Sequence, residues 1–561
     1  MALLDWIVIA LFFVALVGII VWVMRQKQNN AADYFLGGKD ATWIAIGASI
    51  FASNIGSEHL IGLAGSGASS GMAMAHWEIQ GWMILILGWV FVPFYSRSMV
   101  YTMPEFLEKR FNPQSRTILA TISLISYVLT KVAVTVYAGG LVFQQVFGID
   151  ELWGIDFFWI AAVGLVLITA LYTVFGGMKS VLYTSVLQTP ILLLGSLIIL
   201  VLGLKELGGW DEMMRICSAV KVNEYGDTMT NLIRSNSDAQ YPWLGALVGS
   251  AVIGFWYWCT DQFIVQRVLS GKNEREARRG TIFGAYLKLL PVFLFLIPGM
   301  IAFALHQQMG DFLPMLPGGG VNSDAAFPTL VAKLLPAGVK GLIVCGILAA
   351  LMSSLASLFN SSAALFTIDF YQRLRPDTAP GKLVRIGQVA TVVIVVLGIL
   401  WIPVMRSVGD VLYLYLQDVQ SVLAPGIAAA FLVGILWKRA TAQGGMWALI
   451  SGLVIGLCRL GAKVYYSNSD VLPGAQNIFK YLFYDVNWLF FCGWMLVFCL
   501  LVAVVVSLCT KAPAPEKIRG LVFGTSTPEQ RAATRASWDK WDVIHSVIIL
   551  GITAAFYYYF W

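Results

Sequence analysis

The sequence has very little charge for its length. Only 12% of its 561 residues are Asp, Glu, Lys or Arg, whereas 58% are hydrophobic and the mean hydropathy is +0.76. Soluble globular domains carry about 25% charged residues. The shortage of charge therefore argues against a soluble protein and predicts an all-α polytopic membrane protein. Apolar runs long enough to cross a bilayer occur about fourteen times along the chain.

Cysteine and histidine are also scarce, with seven Cys and four His residues. Six of the cysteines lie in or at the ends of apolar runs, and only Cys217 lies in a polar loop. Because no CxxC or Cys/His spacing occurs, the sequence predicts neither a disulfide framework nor a structural metal site. No nucleophile–base set and no phosphate-binding glycine loop stands out, so we do not expect an enzyme.

The basic residues are spread over alternate loops rather than gathered in one patch. The net charge of +6 therefore does not indicate a nucleic-acid partner. Loops rich in Lys and Arg lie in the cytoplasm, which predicts a multi-pass protein of the plasma (inner) membrane with both termini extracellular or periplasmic. The intervening loops 205–241 and 307–337 are long but poor in these residues. The basic clusters are Arg25–Lys39, Arg97–Arg116, Arg267–Arg279, Arg373–Arg385, Lys438–Arg439 and Lys511–Lys540.

One apolar span, 49–67, is unusually polar. It contains a carboxylate, a histidine, an amide, several hydroxyls and four glycines. Since lipid offers no partner for free backbone groups, this composition predicts a helix broken near mid-membrane and facing a cavity. The alternative is a continuous helix that packs closely through small residues. Glu58 weighs against that alternative, because an ionisable group at this depth is costly and usually functional.

A second span, 242–266, repeats this irregularity with Gly254, Tyr257, Trp258 and Asp261. Each irregular span begins a group of five spans. Because five is an odd number, the second group enters the membrane from the side opposite to the first. This pattern is typical of inverted repeats with a site near the midplane. The predicted divisions are an extra N-terminal helix and link (1–41), a first repeat (42–207), an outer loop (208–241), a second repeat (242–436) and C-terminal helices (437–561) that include a cytoplasmic segment (510–541).

The polar residues of these spans have the chemistry of a cation site and a solute site. A sodium ion prefers hard oxygen ligands, which carbonyls at an unwound turn and the hydroxyls of Ser353, Ser354 and Ser357 could supply. In the alternative, these serines only allow close helix packing. A neutral, hydroxyl-rich solute needs amides and charged groups beside an aromatic face. The candidates are Asn54, His59, Glu78, Lys288 and Gln417 for the polar contacts and Tyr257 and Trp258 for the aromatic face.

Several of these residues also have a purely structural interpretation. His59 could be a satisfied helix contact, Trp258 ordinary core, and Lys288 with Glu78 a structural ion pair. Lys131 is interpreted as structural, with a side chain long enough to extend its amine to the membrane surface. Asp369 and Asp418 are interpreted as structural.

Long motifs carry a resemblance to a known family, and they extend over nearly the whole chain. The chain closely resembles the sodium/glucose cotransporters of the sodium–solute symporter family. The matching stretches are Asp33–Leu36, Ala52–His59, Met103–Phe106, Gln266–Arg267, Ser353–Ser361 and Trp437–Arg439.

The resemblance implies the leucine-transporter fold, with fourteen transmembrane helices and two inverted five-helix repeats, in a protein that works as a monomer. It implies Na⁺ as the coupling ion. Implied sugar contacts are Asn54, His59, Glu78, Trp258, Lys288 and Gln417. Implied gate residues are Tyr257, Trp77 and Tyr413. Implied sodium ligands are the carbonyls of Ala52, Ile55 and Ala350 and the hydroxyls of Ser353 and Ser354.

Three positions depart from the family pattern. Ser185 stands where the family usually has an Asp implicated in sodium exit or a second ion site, and Ala356 stands where two-sodium members have Thr. Together they predict one sodium per sugar. Gly254 replaces a polar residue that can touch the sugar, which predicts a change in the recognition of one hydroxyl.

The expected function is sodium-coupled symport of a monosaccharide (glucose- or galactose-like) or related polyol by alternating access. One alternative is a sodium symporter of the same fold for inositol, a nucleoside, a sialic acid or an amino acid. Another is a non-transporting sensor in which sugar gates a cation current.

Overall fold

The structure is a computed structural model that describes residues 2–26, 29–56, 58–316, 319–408, 412–467 and 478–561. In this part of the chain, eleven helices are long and apolar enough to cross a membrane. Two shorter apolar helices are Trp43–Asn54 and Val134–Gln144. The eleven are Leu3–Met24, Glu58–Ser98, Phe157–Leu207, Trp243–Thr260, Glu274–Met309, Val339–Leu374, Pro380–Pro403, Val419–Leu436, Ala442–Lys463, Trp488–Cys509 and Lys540–Tyr559.

One of these helices contains two segments joined at a glycine. Phe157–Leu207 has 51 residues, which would extend for about 76 Å as a straight helix, more than twice the thickness of the hydrocarbon core. The chain turns at Gly177, where φ is +54° and a side chain would overlap the carbonyl oxygen of Tyr34. The exact count of fourteen membrane helices stays a prediction.

The first irregular span is broken as predicted. The helix Trp43–Asn54 ends at Ile55, whose backbone is extended (φ −79°, ψ 107°). Helix resumes as a π-helical turn, Glu58–Leu63, and continues as Ala64–Ser70. The break releases the carbonyl of Ile55 from the helical ladder, so this oxygen needs another partner.

The second irregular span is broken in a similar way. Trp243–Gly254 passes into a π-helical turn, Phe255–Thr260, and the extended residue Asp261 (φ −75°, ψ 129°) precedes the helix Gln262–Leu269. The carboxylate of Asp261 accepts a hydrogen bond from the backbone N–H of Phe263 at 3.2 Å and so caps the new helix. π-Helical turns are frequent at functional sites.

The broken helices pack against a fully enclosed helix, Val339–Ala364. In the most apolar part of Val339–Leu374, 89% of residues are buried, compared with 22% for Leu3–Met24 at the periphery. A helix that is buried on all sides can carry small and hydroxyl residues on every face. Ser353, Ser354 and Ser357 are thereby brought to the interior.

Short elements connect the spanning helices. The only strands in the described chain are Glu151–Leu152 and Ile155–Asp156, which form an antiparallel hairpin. On the side of the basic loops, Thr102 caps the helix Met103–Arg110, and the C-terminal segment forms Pro515–Ile518 and Pro528–Ala536.

Candidate solute and sodium sites

A small cavity of about 70 Å³ lies where the two broken helices meet. The cavity, called the central cavity below, is lined by all six predicted solute contacts together with two predicted gate residues. These are Asn54, His59, Glu78, Trp258, Lys288 and Gln417, with Trp77 and Tyr257.

The polar wall of the central cavity is organised around Lys288. Its Nζ donates to Glu78 Oε2 at 2.5 Å and to Asn54 Oδ1 at 3.1 Å. His59 Nε2 lies 3.3 Å from the same oxygen of Glu78. Burial makes an unpaired charge costly, and the ion pair removes most of that cost. The pair leaves this wall rich in hydrogen-bonding groups with little net charge.

The aromatic wall consists of Trp258 and Tyr257. The two rings meet edge to face, with centroids 4.9 Å apart, and the amine of Lys288 lies 5.3 Å from the ring of Trp258. Asn54 Nδ2 donates to the hydroxyl of Tyr257 at 3.3 Å. An amide and an ammonium group therefore connect the aromatic wall to the polar one.

The predicted outer aromatic residue, Trp77, also contacts Tyr241 in a loop and Trp488 at the start of the helix Trp488–Cys509. It stacks on Trp488 at 5.6 Å between centroids, and it meets Tyr241 edge to face at 6.3 Å. The third predicted gate residue, Tyr413, has a side chain outside the described residues. Its role stays a prediction.

Gln417 contributes an acceptor without a partner. Its side-chain oxygen Oε1 is buried at the central cavity and has no hydrogen-bond partner among the described residues. An unsatisfied buried acceptor is costly, so the arrangement favours a ligand that donates a hydrogen bond there.

The cavity also contains polar residues that were not selected as solute contacts from the sequence. Gln80 and Glu58 both line it. A Cβ placed on Gly56 would lie 2.6 Å from Glu58 Oε2 and 3.0 Å from Ser354 Oγ, so this carboxylate lies beside the helix break. Both residues were visible as polar groups in apolar spans, but spacing alone did not show which way they point.

Two of the predicted sodium ligands, Ser354 and Ile55, meet at the same break. Ser354 Oγ donates to the carbonyls of Ser53 at 3.0 Å and Ile55 at 3.1 Å. Ala52 and Ala350 are buried, as is Ser353. Hydroxyl and carbonyl oxygens brought together in this way have the chemistry that a hard monovalent cation prefers.

The serine hydroxyls near the break form two groups of contacts, one at the hydroxyl of Ser53 and one at the hydroxyl of Ser353. Ser357 Oγ donates to the carbonyl of Ser353 at 2.7 Å and contacts Ser53 Oγ, also at 2.7 Å. Arg267 Nε donates to the same Ser53 hydroxyl at 2.9 Å. Ser185 Oγ instead lies 3.3 Å from Ser353 Oγ. The position that departs from the family pattern is therefore directly beside a predicted sodium ligand.

The position at the membrane surface suggested for the Lys131 amine is wrong. Its amine does not extend to the membrane surface but is buried and bonds to Asp261 Oδ2 at 2.7 Å. The sequence placed the two residues 130 positions apart, and only packing brings them together. Asp369 also has buried partners, the hydroxyl of Thr102 at 2.9 Å and Arg116 Nε at 2.6 Å.

Comparison with known proteins identifies the family. The sodium:solute symporter family model matches residues 34–452. The chain is 37% identical to sodium/glucose cotransporter 4 of Danio rerio over 557 residues, which cover 96% of this chain and 83% of that protein. It is 36% identical to the sodium/myo-inositol cotransporter of Homo sapiens over 552 residues, which cover 92% and 75% of the two chains.

Solved structures show the same fold at lower identity. A substrate-bound Na⁺-coupled sialic acid symporter superimposes with a TM-score of 0.72 at 22% identity, covering 91% of this chain and 99% of the other. MhsT in complex with L-phenylalanine gives a TM-score of 0.51 at 14% identity, covering 83% and 99%. The fold is thus the leucine-transporter fold that the resemblance implied, and Na⁺ is the coupling ion. The chain belongs to the sodium:solute symporter family and is a sodium-coupled multi-pass membrane transporter.

Proposed function

We propose that the protein transports a neutral polyol together with one sodium ion by alternating access. The solute is a glucose- or galactose-like monosaccharide, or a cyclic polyol such as inositol. The observation that carries this proposal is the central cavity itself, where a Lys–Glu pair, two amides and an indole face surround one space next to the hydroxyl of Ser354.

The chemistry of the wall favours a neutral, hydroxyl-rich solute. Lys288 and Glu78 satisfy each other's charge at 2.5 Å, so an ionised solute would meet attraction and repulsion at the same place. A hydroxyl can donate to one partner while it accepts from another, which suits Glu78, Asn54 and the unpartnered oxygen of Gln417. The face of Trp258 offers a surface for the C–H side of a ring.

The relatives support this solute class. The names of two of them specify glucose and myo-inositol, which are both neutral and polyhydroxylated. The fold also carries a sialic acid in one neighbour and L-phenylalanine in another, so the fold by itself does not select a polyol. The side chains at the cavity make that selection.

Asn54 offers a physical link between the two ligands. It is the last helical residue before the break, and its side chain holds both Lys288 and Tyr257. A sodium ion bound to the carbonyls of Ala52 and Ile55 would fix the backbone on either side of Asn54. Sodium would then favour the conformation in which the solute site is complete, which is the differential binding that coupling requires.

One sodium ion is sufficient for useful accumulation. A cation that moves through about 100 mV releases about 2.3 kcal/mol, and a tenfold gradient adds about 1.4 kcal/mol. Together these could sustain a solute ratio of a few hundred. The hydroxyl of Ser185 beside Ser353, in place of a carboxylate, supports this stoichiometry because a second cation would lack a counter-charge there.

The membrane placement is part of the same proposal. Basic loops on one side support a plasma-membrane protein with both termini extracellular or periplasmic. We propose that a single chain is the functional unit, since one chain supplies all six predicted solute contacts.

Uptake into proteoliposomes tests the proposal. Radiolabelled glucose, galactose and myo-inositol are supplied with and without an inward sodium gradient, and at least one should accumulate only with the gradient. Gln417→Ala, which removes the unpartnered acceptor, is expected to fold and to lose transport, and it serves as the negative control. A sugar-gated current without accumulation would instead indicate a sensor. Sodium-driven uptake of only a sialic acid, nucleoside or amino acid would disprove the polyol assignment.

A further inference from the structure

Gln80 occupies a conspicuous place in the wall of the central cavity. It lies at a non-helical residue (φ −94°, ψ 23°) between the helices Ala75–Glu78 and Gly81–Ile86, two positions after Glu78. Its side chain is only 3% exposed and lines the cavity. Both of its polar groups are therefore withdrawn from bulk water and need defined partners.

Two hydrogen bonds fix the orientation of the Gln80 amide. Nε2 donates to the carbonyl of Ser250 at 2.8 Å, and Oε1 accepts from the indole Nε1 of Trp258 at 3.2 Å. If the amide were reversed, its N–H groups would face the indole N–H of Trp258, and its oxygen would face the carbonyl oxygen of Ser250. The amide is thus held in one orientation and in turn holds the indole of Trp258.

These two bonds use only half of the hydrogen-bonding capacity of the Gln80 amide. A primary amide has two N–H donors and an oxygen with two lone pairs. One donor and one lone pair of Gln80 remain after the bonds to Ser250 and Trp258. A hydroxyl group matches this remainder, because it accepts from an N–H and donates to an oxygen.

Gly254 explains why the amide can lie there. A Cβ at this position would lie 2.5 Å from Gln80 Oε1 and 2.9 Å from its Cδ. The backbone of Gly254 is ordinary right-handed helix (φ −61°), so glycine is needed for space and not for conformation. Positions 80 and 254 therefore compete for one volume, and in this chain the amide from position 80 fills it.

We propose that Gln80 is the specificity-determining residue for one hydroxyl of the solute, and that it does so in the space that Gly254 leaves open. The inference rests on the proposed polyol transport and deepens it. It assigns to one amide the recognition of the hydroxyl that lies at the edge of Trp258. The Gln80 amide then supplies the polar group that position 254 lacks, so the hydroxyl is still recognised.

The test uses sodium-driven uptake of glucose, of myo-inositol and of their monodeoxy analogues into proteoliposomes. In the unsubstituted protein, one monodeoxy analogue should bind about tenfold more weakly than its parent because Gln80 is left unpaired. Gln80→Leu keeps the volume but removes both polar groups. It should abolish the discrimination against that one analogue, raise the KM of the parent about tenfold and leave discrimination at the other hydroxyls intact.

Gly254→Ala tests the role of the Gln80 amide independently, because it fills the same volume from position 254. The added methyl group should displace the Gln80 amide and give the same selectivity change, although position 254 itself carries no polar group. It keeps the inference testable if Gln80→Leu does not fold. The matched control is Gln144→Leu, which removes an amide that bonds Asp156 away from the cavity and should leave selectivity unchanged.

The outcomes separate this inference from the proposed function. Polyol uptake with unchanged selectivity in Gln80→Leu, or in Gly254→Ala when only that variant folds, would overturn the role of Gln80 and leave the transport function standing. Failure of the unsubstituted protein to accumulate any polyol would overturn both.

Discussion

Two buried lysines make a direct comparison within this molecule. Lys288 pairs with Glu78 at 2.5 Å, and Lys131 pairs with Asp261 at 2.7 Å. In each pair the two residues lie far apart in the chain, and all four side chains are almost entirely enclosed. Residue type, distance and burial therefore do not distinguish the pairs.

The surroundings do distinguish them. The amine of Lys131 lies within 4.8 to 5.2 Å of the ring centres of four aromatic residues. The carboxylate of Asp261 also accepts a hydrogen bond from the hydroxyl of Tyr127, and it caps the helix that follows. This pair, called the scaffold pair below, has its bonding capacity taken up by the protein.

The Lys288–Glu78 pair, called the cavity pair below, keeps capacity for a ligand. Its further partners, Asn54 and His59, are themselves at the cavity wall, and both ring nitrogens of His59 lack a well-directed hydrogen bond among the described residues. Lys131 also borders the central cavity, so unfilled space alone does not distinguish the pairs. The comparison teaches that a buried ion pair marks a ligand site when unsatisfied groups adjoin it as well. Otherwise it stabilises a local backbone structure.

The largest expected effect comes from breaking the cavity pair. Lys288→Ala should reduce sodium-driven solute uptake by more than about a hundredfold, because it removes a solute contact and leaves Glu78 without its ammonium partner. Uptake into proteoliposomes measures this. Size-exclusion profile and thermal unfolding should stay close to those of the unsubstituted protein, since the cavity can hydrate Glu78. Normal uptake would remove Lys288 from the site.

Breaking the scaffold pair should lower the stability of the protein rather than remove a solute contact. Asp261→Asn keeps a helix cap but leaves Lys131 buried without a counter-charge, which costs about 3–5 kcal/mol. The expected result is a marked loss of thermal stability, measured in detergent or lipid. The double variant Lys131→Met, Asp261→Asn should recover much of it. Unchanged stability of the single variant would show that this pair is not structural.

The effect of Ser354→Ala should be smaller and confined to the ion. Removing the hydroxyl takes away one predicted sodium ligand at the boundary of the central cavity, so the sodium concentration for half-maximal uptake should rise about tenfold. The solute KM at saturating sodium should change little. Measurement of uptake against sodium concentration checks this, and an unaltered sodium curve would move the ion elsewhere.

The smallest change is expected from Ser185→Asp. This substitution places a carboxylate beside Ser353, where the present side chain is a hydroxyl at 3.3 Å. The sodium dependence of uptake should become steeper, as expected for a second cation, while the maximal rate changes modestly. Parallel measurement of sodium and solute fluxes gives the stoichiometry. An unchanged ratio and slope would show that position 185 lies off the ion path.

Much of the architecture followed from the sequence because its causes are local. Glycines and polar groups inside an apolar span predict a broken helix, since lipid cannot satisfy free backbone groups. The breaks at Ile55 and Asp261 are confirmed on that basis. The motif around Ala52–His59 then indicated the family and the coupling ion.

The sequence by itself thus determined a helical membrane transporter with two interrupted spans and named the polar residues near them. Only the tertiary structure decided which polar groups meet. Lys131 pairs with Asp261 instead of reaching the membrane surface, and Gln80 fills the volume that Gly254 leaves open. The physical reason is that backbone satisfaction and apolar length act along the chain, whereas ion pairing and steric exclusion depend on how distant helices pack.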